Sequence, residues 1–343
     1  MAKDGETIHV ALAIHDPNGG YSRHSGVVMT SIFERTGSAV CVHILHDETL
    51  TEKNRSFLRE VAETSAQMIE FHDVSQAIGR MGRDATRSAK EKLSVGALFR
   101  LLIPEVVTAE KVIYLDSDIV VNMDIRQLWD IPLGENSVAG ALDRGRLRPY
   151  GRFSSVALEF ALIGCDRKAY INTGVLLLNI ARIRERYELI PQSIEWYARH
   201  AHITRHVDQD MINSCFRGDI KIIDSKFNNC HSHDGDISDN ILHAVGPGKP
   251  WNGPKFNALH RLYWKTFLKT PWGRLGPEEV ADLMFDVFGR SPLMHAHTRQ
   301  CYRRIIFRLY KDIVRNEATS ITLVLCKELK HRLTSIGGRA DAG

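Results

Sequence analysis

The chain has 343 residues, of which 43% are hydrophobic and 25% charged, and its formal net charge is +4. A chain of this length and composition can bury a sizeable core, whereas its longest apolar runs fall far short of the roughly 20 residues that span a bilayer. We therefore predict a folded protein with no transmembrane helix and no nucleic-acid partner.

The N-terminus and the cysteines indicate the compartment. The first apolar stretch has only the length of a strand and no small-residue cleavage site follows it, so we predict no signal peptide. The six cysteines show no CxxC spacing, and a chain of this size folds without disulfide bonds. These features predict reduced thiols in a cytoplasmic protein.

The first half of the chain alternates short β-rich apolar runs with longer helix-like segments. The predicted elements are strand 8–14, helix 25–34, strand 40–45, helix 52–64 and strand 68–71. A helical pattern then ends near Pro104, and a central strand is predicted over Val112–Leu115. This βαβ rhythm is typical of a mostly parallel sheet with helices on both faces.

The second half continues with fewer clear signals. Strands are predicted over Val138–Leu142 and Tyr170–Ile180, a helix over Ile183–His200 and a shorter helix opened by Asp208. Residues 224–257 have a loop-like composition rich in Asn, His, Gly and Pro, and the last fifty residues again look helical.

Two acidic residues, Asp116 and Asp118, directly follow the predicted central strand. Ligands of an open α/β sheet bind beyond the carboxyl ends of its strands. Side chains at i and i+2 of an extended segment point to the same side, so both carboxylates can approach one divalent cation such as Mn²⁺ or Mg²⁺. The alternative is an exposed turn that contains two aspartates.

A second candidate motif begins at His243 and reads His-Ala-Val-Gly-Pro-Gly-Lys-Pro-Trp. Gly246 and Gly248 allow close backbone approach to a ligand, Lys249 offers a charge for phosphate, and His243 offers an imidazole for a metal. Each residue alone also has a structural explanation, as a turn former or a hydrogen-bonded histidine.

Four motifs share their order and separations with a known family. They are Asp116-Ser117-Asp118 after KVIYL, the segment from Asn172 to Asn179, Asp208-Gln209-Asp210, and the HxxGxxKPW run from His243 to Trp251. On these motifs, residues 8–255 resemble the retaining glycosyltransferases of family 8, which include bacterial lipopolysaccharide hexosyltransferases and glycogenin.

The resemblance implies an α/β chain with a GT-A fold, in which a Rossmann-like, mixed but mostly parallel sheet precedes a helical C-terminal extension. The corresponding domains would be residues 1–257, binding nucleotide sugar and acceptor, and a basic helical region 258–343. It also implies a UDP-sugar donor, a glycan or glycolipid acceptor, and Mn²⁺ or Mg²⁺ as the cofactor.

The resemblance also assigns roles to individual residues. Metal ligands would be Asp116, Asp118 and His243. Donor-binding residues would be Ala13 and Asp16 at the uridine, Gly246 and Lys249 at the diphosphate, Arg100, Asp143, Asn172 and Asp208 near the sugar, and also Ser117. Gln209, with Asp210, would be catalytic.

The implied reaction moves glucose or galactose from the UDP-sugar to a hydroxyl group with retention, forming an α-glycosidic bond. Retention by double displacement needs a well-placed nucleophile, and the glutamine Gln209 is a poor one. We therefore favour same-face transfer, in which the leaving phosphate helps to deprotonate the acceptor hydroxyl.

The C-terminal segment from Ala296 onward holds ten Lys and Arg residues against four Asp and Glu residues. The stretch from Arg303 to Arg315 alternates basic and apolar residues, which is typical of an amphipathic helix on an anionic membrane surface. A helix packed on the main domain with a solvated basic face is the alternative.

Two rival functions fit part of the sequence. A haloacid-dehalogenase-type phosphatase has a DxDx(T/V) signature that Asp116 to Val120 matches formally. Such enzymes usually place the signature near the start of the chain, and the His243 motif has no role in them. The second rival is a non-catalytic protein that binds nucleotide sugars or glycans.

Overall fold

The computed structural model describes residues 6–81, 95–147, 155–231, 233, 235–246, 248–252 and 257–274. The contacts divide the chain into two compact units, Met1–His243 and Ala244–Gly343. The predicted domain boundary at residue 257 adjoins residues 253–256, which lie outside the described part, and it stays a prediction.

A seven-stranded sheet forms the centre of the first unit. Its strands are β1 Ile8–Ile14, β2 Val40–His46, β3 Met68–Asp73, β4 Lys111–Leu115, β6 Val138–Ala141, β7 Val175–Asn179 and β8 Ile220–Ile223. Their order in the sheet is β3-β2-β1-β4-β7-β6-β8. Only β7 runs antiparallel to its neighbours β4 and β6, whereas every other pair is parallel. The sheet is therefore mixed and mostly parallel, as predicted.

The helices that connect and cover these strands vary greatly in length. They are α1 Tyr21–Phe33, α2 Glu52–Thr64, α3 Ser75–Arg80, α4 Gly96–Phe99, α5 Ile103–Val106, α6 Arg126–Trp129, α7 Ser155–Leu162, α8 Ile180–Arg186, α9 Leu189–His200, α10 Val207–Cys215 and α11 Ala258–Phe267. Single 3-10 turns cover Arg100–Leu102, Ser225–Asn228 and Pro271–Arg274.

The central strands are buried on both faces because helices shield both sides of the sheet. Every residue of β2 is buried, as are four of the five residues of β4. Such buried, mostly apolar runs are the usual sequence of parallel strands with two covered faces. Polar side chains that follow these strands therefore come together at one edge of a rigid sheet.

A separate two-stranded ribbon lies beside this edge. Strand β5, Ile119–Asn122, pairs antiparallel with β9, Asn240–His243, and Ile119 is the register partner of His243. Because Ile119 directly follows Asp118, the ribbon brings His243 to the Asp116-Ser117-Asp118 segment from 125 positions further along the chain.

Several predicted elements were misplaced, each for a local physical reason. The strand predicted from Tyr170 begins only at Val175, because Asn172 and Thr173 use their polar groups in the site described below. Pro104 does not end the helical segment, since it occupies the first turn of α5, where a missing N–H costs nothing. The helix predicted over residues 183–200 is two helices, α8 and α9, separated at Tyr187 and Glu188.

The loop-like segment 224–257 was also only partly a loop, since it contains the 3-10 turn Ser225–Asn228 and strand β9. The polar residues that suggested a loop include Asn228 and Asn229, whose side chains bond to neighbouring groups.

In the second unit, helix α11 contacts Pro250 and Trp251, which end the motif that begins at His243. Asn257 caps the helix by accepting a hydrogen bond from the N–H of His260. The Nε1–H of Trp264 donates to the carbonyl of Pro250 at 3.2 Å, and the rings of Trp251 and Tyr263 lie 5.4 Å apart. The basic segment from Arg303 to Arg315 lies outside the described residues.

None of the helices in the described part of the chain combines the length and the apolar character needed to cross a bilayer.

Candidate active site

The metal-binding prediction names three side chains that the structure brings together. Nε2 of His243 lies 3.1 Å from Oδ1 of Asp118 and 3.9 Å from Oδ2 of Asp116. One ligand atom from each residue lies within 4.8 Å of the other two. Neighbouring ligands of a hard cation bound at about 2.1 Å are separated by about 3 Å, so the spacing suits such an ion.

The two carboxylates reach this position by a route different from the predicted one. Ser117 and Asp118 form a turn, so the segment is not extended as the i, i+2 argument assumed. The Asp116 N–H donates to the carbonyl of Gly174 at 2.8 Å, which continues the pairing of β4 with β7 by one residue. Asp116 therefore ends the β-structure, and the turn directs Asp118 toward His243.

The electrostatics of this group favour a positive charge between the three side chains. Burial lowers the pKa of His243, but the neighbouring Asp118 carboxylate outweighs burial and raises that pKa to about 10. The carboxylates that stabilise a proton on the imidazole would equally stabilise a metal ion in its place.

A chain of amide groups fixes the orientation of the His243 ring. The Gly174 N–H donates to Oδ1 of Asn172 at 3.0 Å, which identifies that atom as an oxygen. Asn228 then donates from Nδ2 to the same oxygen at 2.9 Å, and its Oδ1 faces Nδ1 of His243 at 2.8 Å. The proton of a neutral His243 therefore belongs on Nδ1, and the Nε2 lone pair points to the carboxylates.

Asp116 has one oxygen held by the protein and one directed toward the site. Its Oδ1 accepts from Arg100 at 2.8 Å and from the hydroxyl of Tyr114 at 2.7 Å. The guanidinium of Arg100 also stacks on the Tyr114 ring and bonds to the carbonyl of Thr173. Oδ2 is thus the Asp116 oxygen that remains directed to His243.

Gly174 leaves the space that this group needs. A Cβ atom at this position would lie 2.1 Å from Cε1 of His243 and 2.9 Å from Oδ2 of Asp116. Both distances are far below van der Waals contact, so a side chain would displace a predicted ligand. The oxygen and nitrogen donors and this cleared space together fit a Mn²⁺ or Mg²⁺ ion.

A second group of polar side chains lies on the same edge of the sheet, after β6 and before β7. Oε1 of Gln209 accepts from the Thr173 N–H at 3.2 Å, and its Nε2 donates to Oδ2 of Asp143 at 2.9 Å. Asn172 also faces this Asp143 oxygen, at 3.4 Å. The predicted sugar-binding residues Asp143 and Asn172 therefore lie beside the predicted catalytic Gln209.

Asp208 connects the two groups. Its Oδ2 lies 3.1 Å from Nε of Arg100, the same guanidinium that holds Asp116. Burial raises the pKa of Asp208 to about 6, although Arg100 opposes this shift. Arg100 is thus an ion-pair bridge between the first aspartate of the metal motif and helix α10.

Asp210 is fully buried, and its contacts give it a structural role. It accepts hydrogen bonds from the hydroxyls of Tyr170 and Thr204 and from the N–H groups of Arg205 and His206. These contacts fix the entry into α10. Its predicted catalytic role stays a prediction.

The sequence profile of glycosyl transferase family 8 matches residues 10–254, well over half of the chain. The chain belongs to this family. Among curated relatives, the lipopolysaccharide 1,3-galactosyltransferase of Salmonella typhimurium is 25% identical over 51% of this chain and 54% of its own length. Glycosyltransferase GlyF of Streptococcus pneumoniae is 28% identical over 50% of this chain and 42% of its own. The chain thus spans about half the length of these two relatives.

Among solved structures, galactosyltransferase LgtC, in complex with donor and acceptor sugar analogues, is similar with a TM-score of 0.65 and 23% identity. The similarity covers 81% of this chain and 100% of that structure. It shows that this member of family 8 has the GT-A fold that the sequence predicted. Membership in a transferase family also removes the phosphatase alternative.

The predicted uridine contacts of this family 8 protein lie at the end of β1. Ala13 is half-buried on the strand. Both oxygens of the buried Asp16 bond within the protein, since they accept from the N–H groups of Tyr21 and Ser22 at the start of α1 and from Asn54. Asp16 therefore holds the first turn of α1, and its contact with uridine stays a prediction.

Three predicted donor-binding residues remain, namely Ser117, Gly246 and Lys249. Ser117 is buried and its hydroxyl lies 3.0 Å from that of Ser25 on α1. Gly246 has a φ of +71°, a conformation that glycine adopts without strain. Lys249 precedes Pro250, whose carbonyl accepts a hydrogen bond from Trp264 on α11.

Sequence reasoning missed three residues of the site. Asn228 lay in a segment interpreted as a loop, and its bond to His243 depends on a fold that no local pattern reveals. Tyr114 had been assigned only to a buried strand. Gly174 belongs to the Asn172–Asn179 motif, but the space that it provides becomes evident only once the distant His243 lies beside it.

Proposed function

We propose that this family 8 protein is a metal-dependent retaining hexosyltransferase. It would transfer glucose or galactose from a UDP-sugar to a hydroxyl group of a glycan, such as lipopolysaccharide core, and form an α-glycosidic bond. The observation that carries the proposal is the convergence of Asp116, Asp118 and His243 beside a glycine that leaves room for an ion.

The proposed role of the ion follows from the charge of the leaving group. Departure of UDP places negative charge on the diphosphate, and Mn²⁺ or Mg²⁺ held by Asp116, Asp118 and His243 would act there as a Lewis acid. The protein contributes the arrangement of the ligands, because Arg100 and Asn228 hold their orientation before a donor binds.

The polar side chains near Gln209 would bind the hexose in the proposed reaction. Asp143 and Asn172 offer acceptors and donors for hexose hydroxyls. Gln209 lies next to both, on the first turn of α10, and would face the anomeric centre as positive charge develops there. Its amide group cannot act as a strong nucleophile, which supports same-face transfer over a covalent glycosyl-enzyme intermediate.

A donor screen tests the proposal. Purified protein is incubated with UDP-glucose, UDP-galactose and other UDP-hexoses, with Mn²⁺, with Mg²⁺ or with a chelator, and release of UDP is measured. We expect release with one or both of the named donors, dependent on the ion and increased by a hydroxyl acceptor. Release that is unchanged by the chelator would contradict the metal dependence.

The Asp118→Asn variant tests whether the UDP release in this screen depends on the predicted metal site. It keeps the volume of the side chain but removes the charge that faces His243, so we expect UDP release to fall at least about a hundredfold. A protein that binds UDP-hexoses with this metal dependence but never releases UDP would instead be the non-catalytic binder.

We also propose a cytoplasmic protein that makes peripheral contact with an anionic membrane through its basic C-terminal segment. The charge pattern from Arg303 to Arg315 supports this part of the proposal. Flotation with anionic liposomes, comparing the full chain with a chain ending before Arg303, tests it. Equal flotation of the two would contradict it.

A further inference from the structure

A second cluster of metal-binding side chains lies on the first three strands, apart from the candidate active site. His9 is on β1, Cys41 and His43 are on β2, and Glu70 and His72 are on β3. The registers His9 with Cys41 and His43 with Glu70 place all five on one face of the sheet, because side chains two positions apart share a face. The proposed glycosyl transfer uses none of them.

Three donor atoms of this cluster form a compact triangle. Nδ1 of His43 lies 3.0 Å from Nε2 of His72 and 3.2 Å from Oε2 of Glu70. The third side, from Nε2 of His72 to Oε2 of Glu70, measures 3.6 Å. In the described part of the chain, this trio, the overlapping group of His9, Cys41 and His43, and the candidate active site are the three groupings close enough to share an ion.

The size of the triangle matches a tetrahedral zinc site. Zinc binds histidine nitrogen and carboxylate oxygen at about 2.0–2.2 Å, so two ligands on a tetrahedron lie about 3.3 Å apart. Two histidines and one glutamate are a known zinc ligand set that leaves a fourth position for water. Imidazole ligands also favour zinc over the hard ions Mn²⁺ and Mg²⁺.

The surroundings of His43 prepare its Nδ1 for this role. Its Nε2 lies 2.9 Å from Nδ1 of His9, so the Nε2–H group of His43 can donate a hydrogen bond to His9. In this tautomer Nδ1 of His43 carries a lone pair that is available to a metal. An imidazole with one unprotonated nitrogen is the form that binds metal.

The trio is also accessible. Strand β3 is the edge strand of the sheet. The side chain of Glu70 is 55% exposed and that of His72 is 17% exposed, whereas that of His43 is 2% exposed. One ligand is therefore anchored in the core and two face outward, so an ion can enter from solvent without opening the fold.

We propose that His43, Glu70 and His72 form a zinc-binding site that joins the edge strand β3 to the buried strand β2. Bound zinc would stabilise the folded chain, because the unfolded chain holds no such arrangement. The competing explanation is a ladder of hydrogen-bonded imidazoles with no ion.

Counting bound zinc separates these explanations, although zinc can also occupy the candidate active site. Four full-length proteins are dialysed against buffered Zn²⁺: the wild type, Asp118→Asn, His72→Gln and the double variant. We expect two, one, one and no zinc ions per chain respectively. If Asp118→Asn still binds two zinc ions whereas His72→Gln binds one, the edge site is supported and the metal site of the proposed function is contradicted.

Two further variants complete the test. Glu70→Gln changes a half-exposed ligand, so the fold tolerates it, and we expect its zinc affinity at this site to fall at least about tenfold. Asp73→Asn, on the same strand but outside the trio, serves as the matched control and keeps the wild-type zinc count. Co²⁺ substitution should give tetrahedral absorption bands in Asp118→Asn that are absent in the double variant. Wild-type zinc content in His72→Gln, or wild-type zinc affinity in Glu70→Gln, would overturn the proposal.

Discussion

Gly174 and His243 lie so close that any side chain at position 174 would overlap the imidazole, with a Cβ atom only 2.1 Å from Cε1. The glycine is the last residue before β7, and its carbonyl accepts a hydrogen bond from the Asp116 N–H. Gly174 therefore contacts two of the predicted metal ligands, Asp116 through its carbonyl and His243 through its Cα.

We expect Gly174→Ala to lower Mn²⁺ affinity by about ten- to a hundredfold, because the new methyl group displaces His243 or Asp116. Titration with Mn²⁺ in the presence of UDP measures this. Gly37→Ala is the matched control, since a Cβ at Gly37 meets no atom within 4 Å. Equal affinity of Gly174→Ala and the wild type would contradict the assignment of His243 and Asp116 as ligands.

The Asn228→Ala variant tests how the imidazole is oriented. Without the amide oxygen that faces Nδ1, His243 can adopt the other tautomer or rotate, so we expect a ten- to about a hundredfold loss of Mn²⁺ affinity. Asn136→Ala, which removes a hydrogen bond to the carbonyl of Leu133 in a loop, should leave the affinity unchanged. An effect of the same size in both variants would point to general destabilisation.

Gln209→Ala separates donor binding from turnover. If Gln209 faces the anomeric centre, its loss should reduce kcat by about a hundredfold. Binding of UDP and metal should change little, because its side chain contacts Asp143, the Thr173 N–H and the Tyr170 hydroxyl. Steady-state kinetics together with a UDP binding titration measure the two effects. Wild-type turnover would show that the proposed role is wrong.

Asp210→Asn should show a pH-dependent loss of stability. Burial raises the pKa of Asp210, but hydrogen bonds from Tyr170, Thr204 and the His206 N–H outweigh it and hold that pKa below its usual value. A carboxylate with a lowered pKa stabilises the fold above its unfolded-state pKa of about 4, and this stabilisation is lost as the pH falls through the folded-state value.

The wild type should therefore exceed Asp210→Asn by about 2–4 kcal/mol in free energy of unfolding at pH 7, and the difference should shrink below pH of about 4. Denaturant unfolding at several pH values measures it. A difference that stays constant with pH would contradict the charged, hydrogen-bonded state of Asp210.

The sequence predicted the sheet well wherever strands are buried on both faces. Strands β1, β2 and β4 and helix α2 were found within one or two residues, because their apolar patterns are local signals. It failed at Tyr170–Gly174, where polar groups serve the site instead of a sheet ladder. Such conflicts between local pattern and structure are common at functional sites.

In the candidate site, too, the sequence predicted the residues with local signals and missed those that depend on the fold. The motif residues Asp116, Asp118 and His243 could be named from their chemistry, their place in the sequence and the resemblance, but their proximity could not be derived from spacing. Asn228 and Tyr114 act through contacts with these residues, so only the folded chain reveals them. The zinc trio likewise depends on the register between β2 and β3.

The pairing of Ile119 with His243 makes the candidate metal site depend on β9, the strand that ends the first unit. A ribosome-bound chain that has emerged only as far as β8 already contains both aspartates, but it lacks the imidazole. The three predicted ligands can therefore meet only after synthesis has passed residue 243.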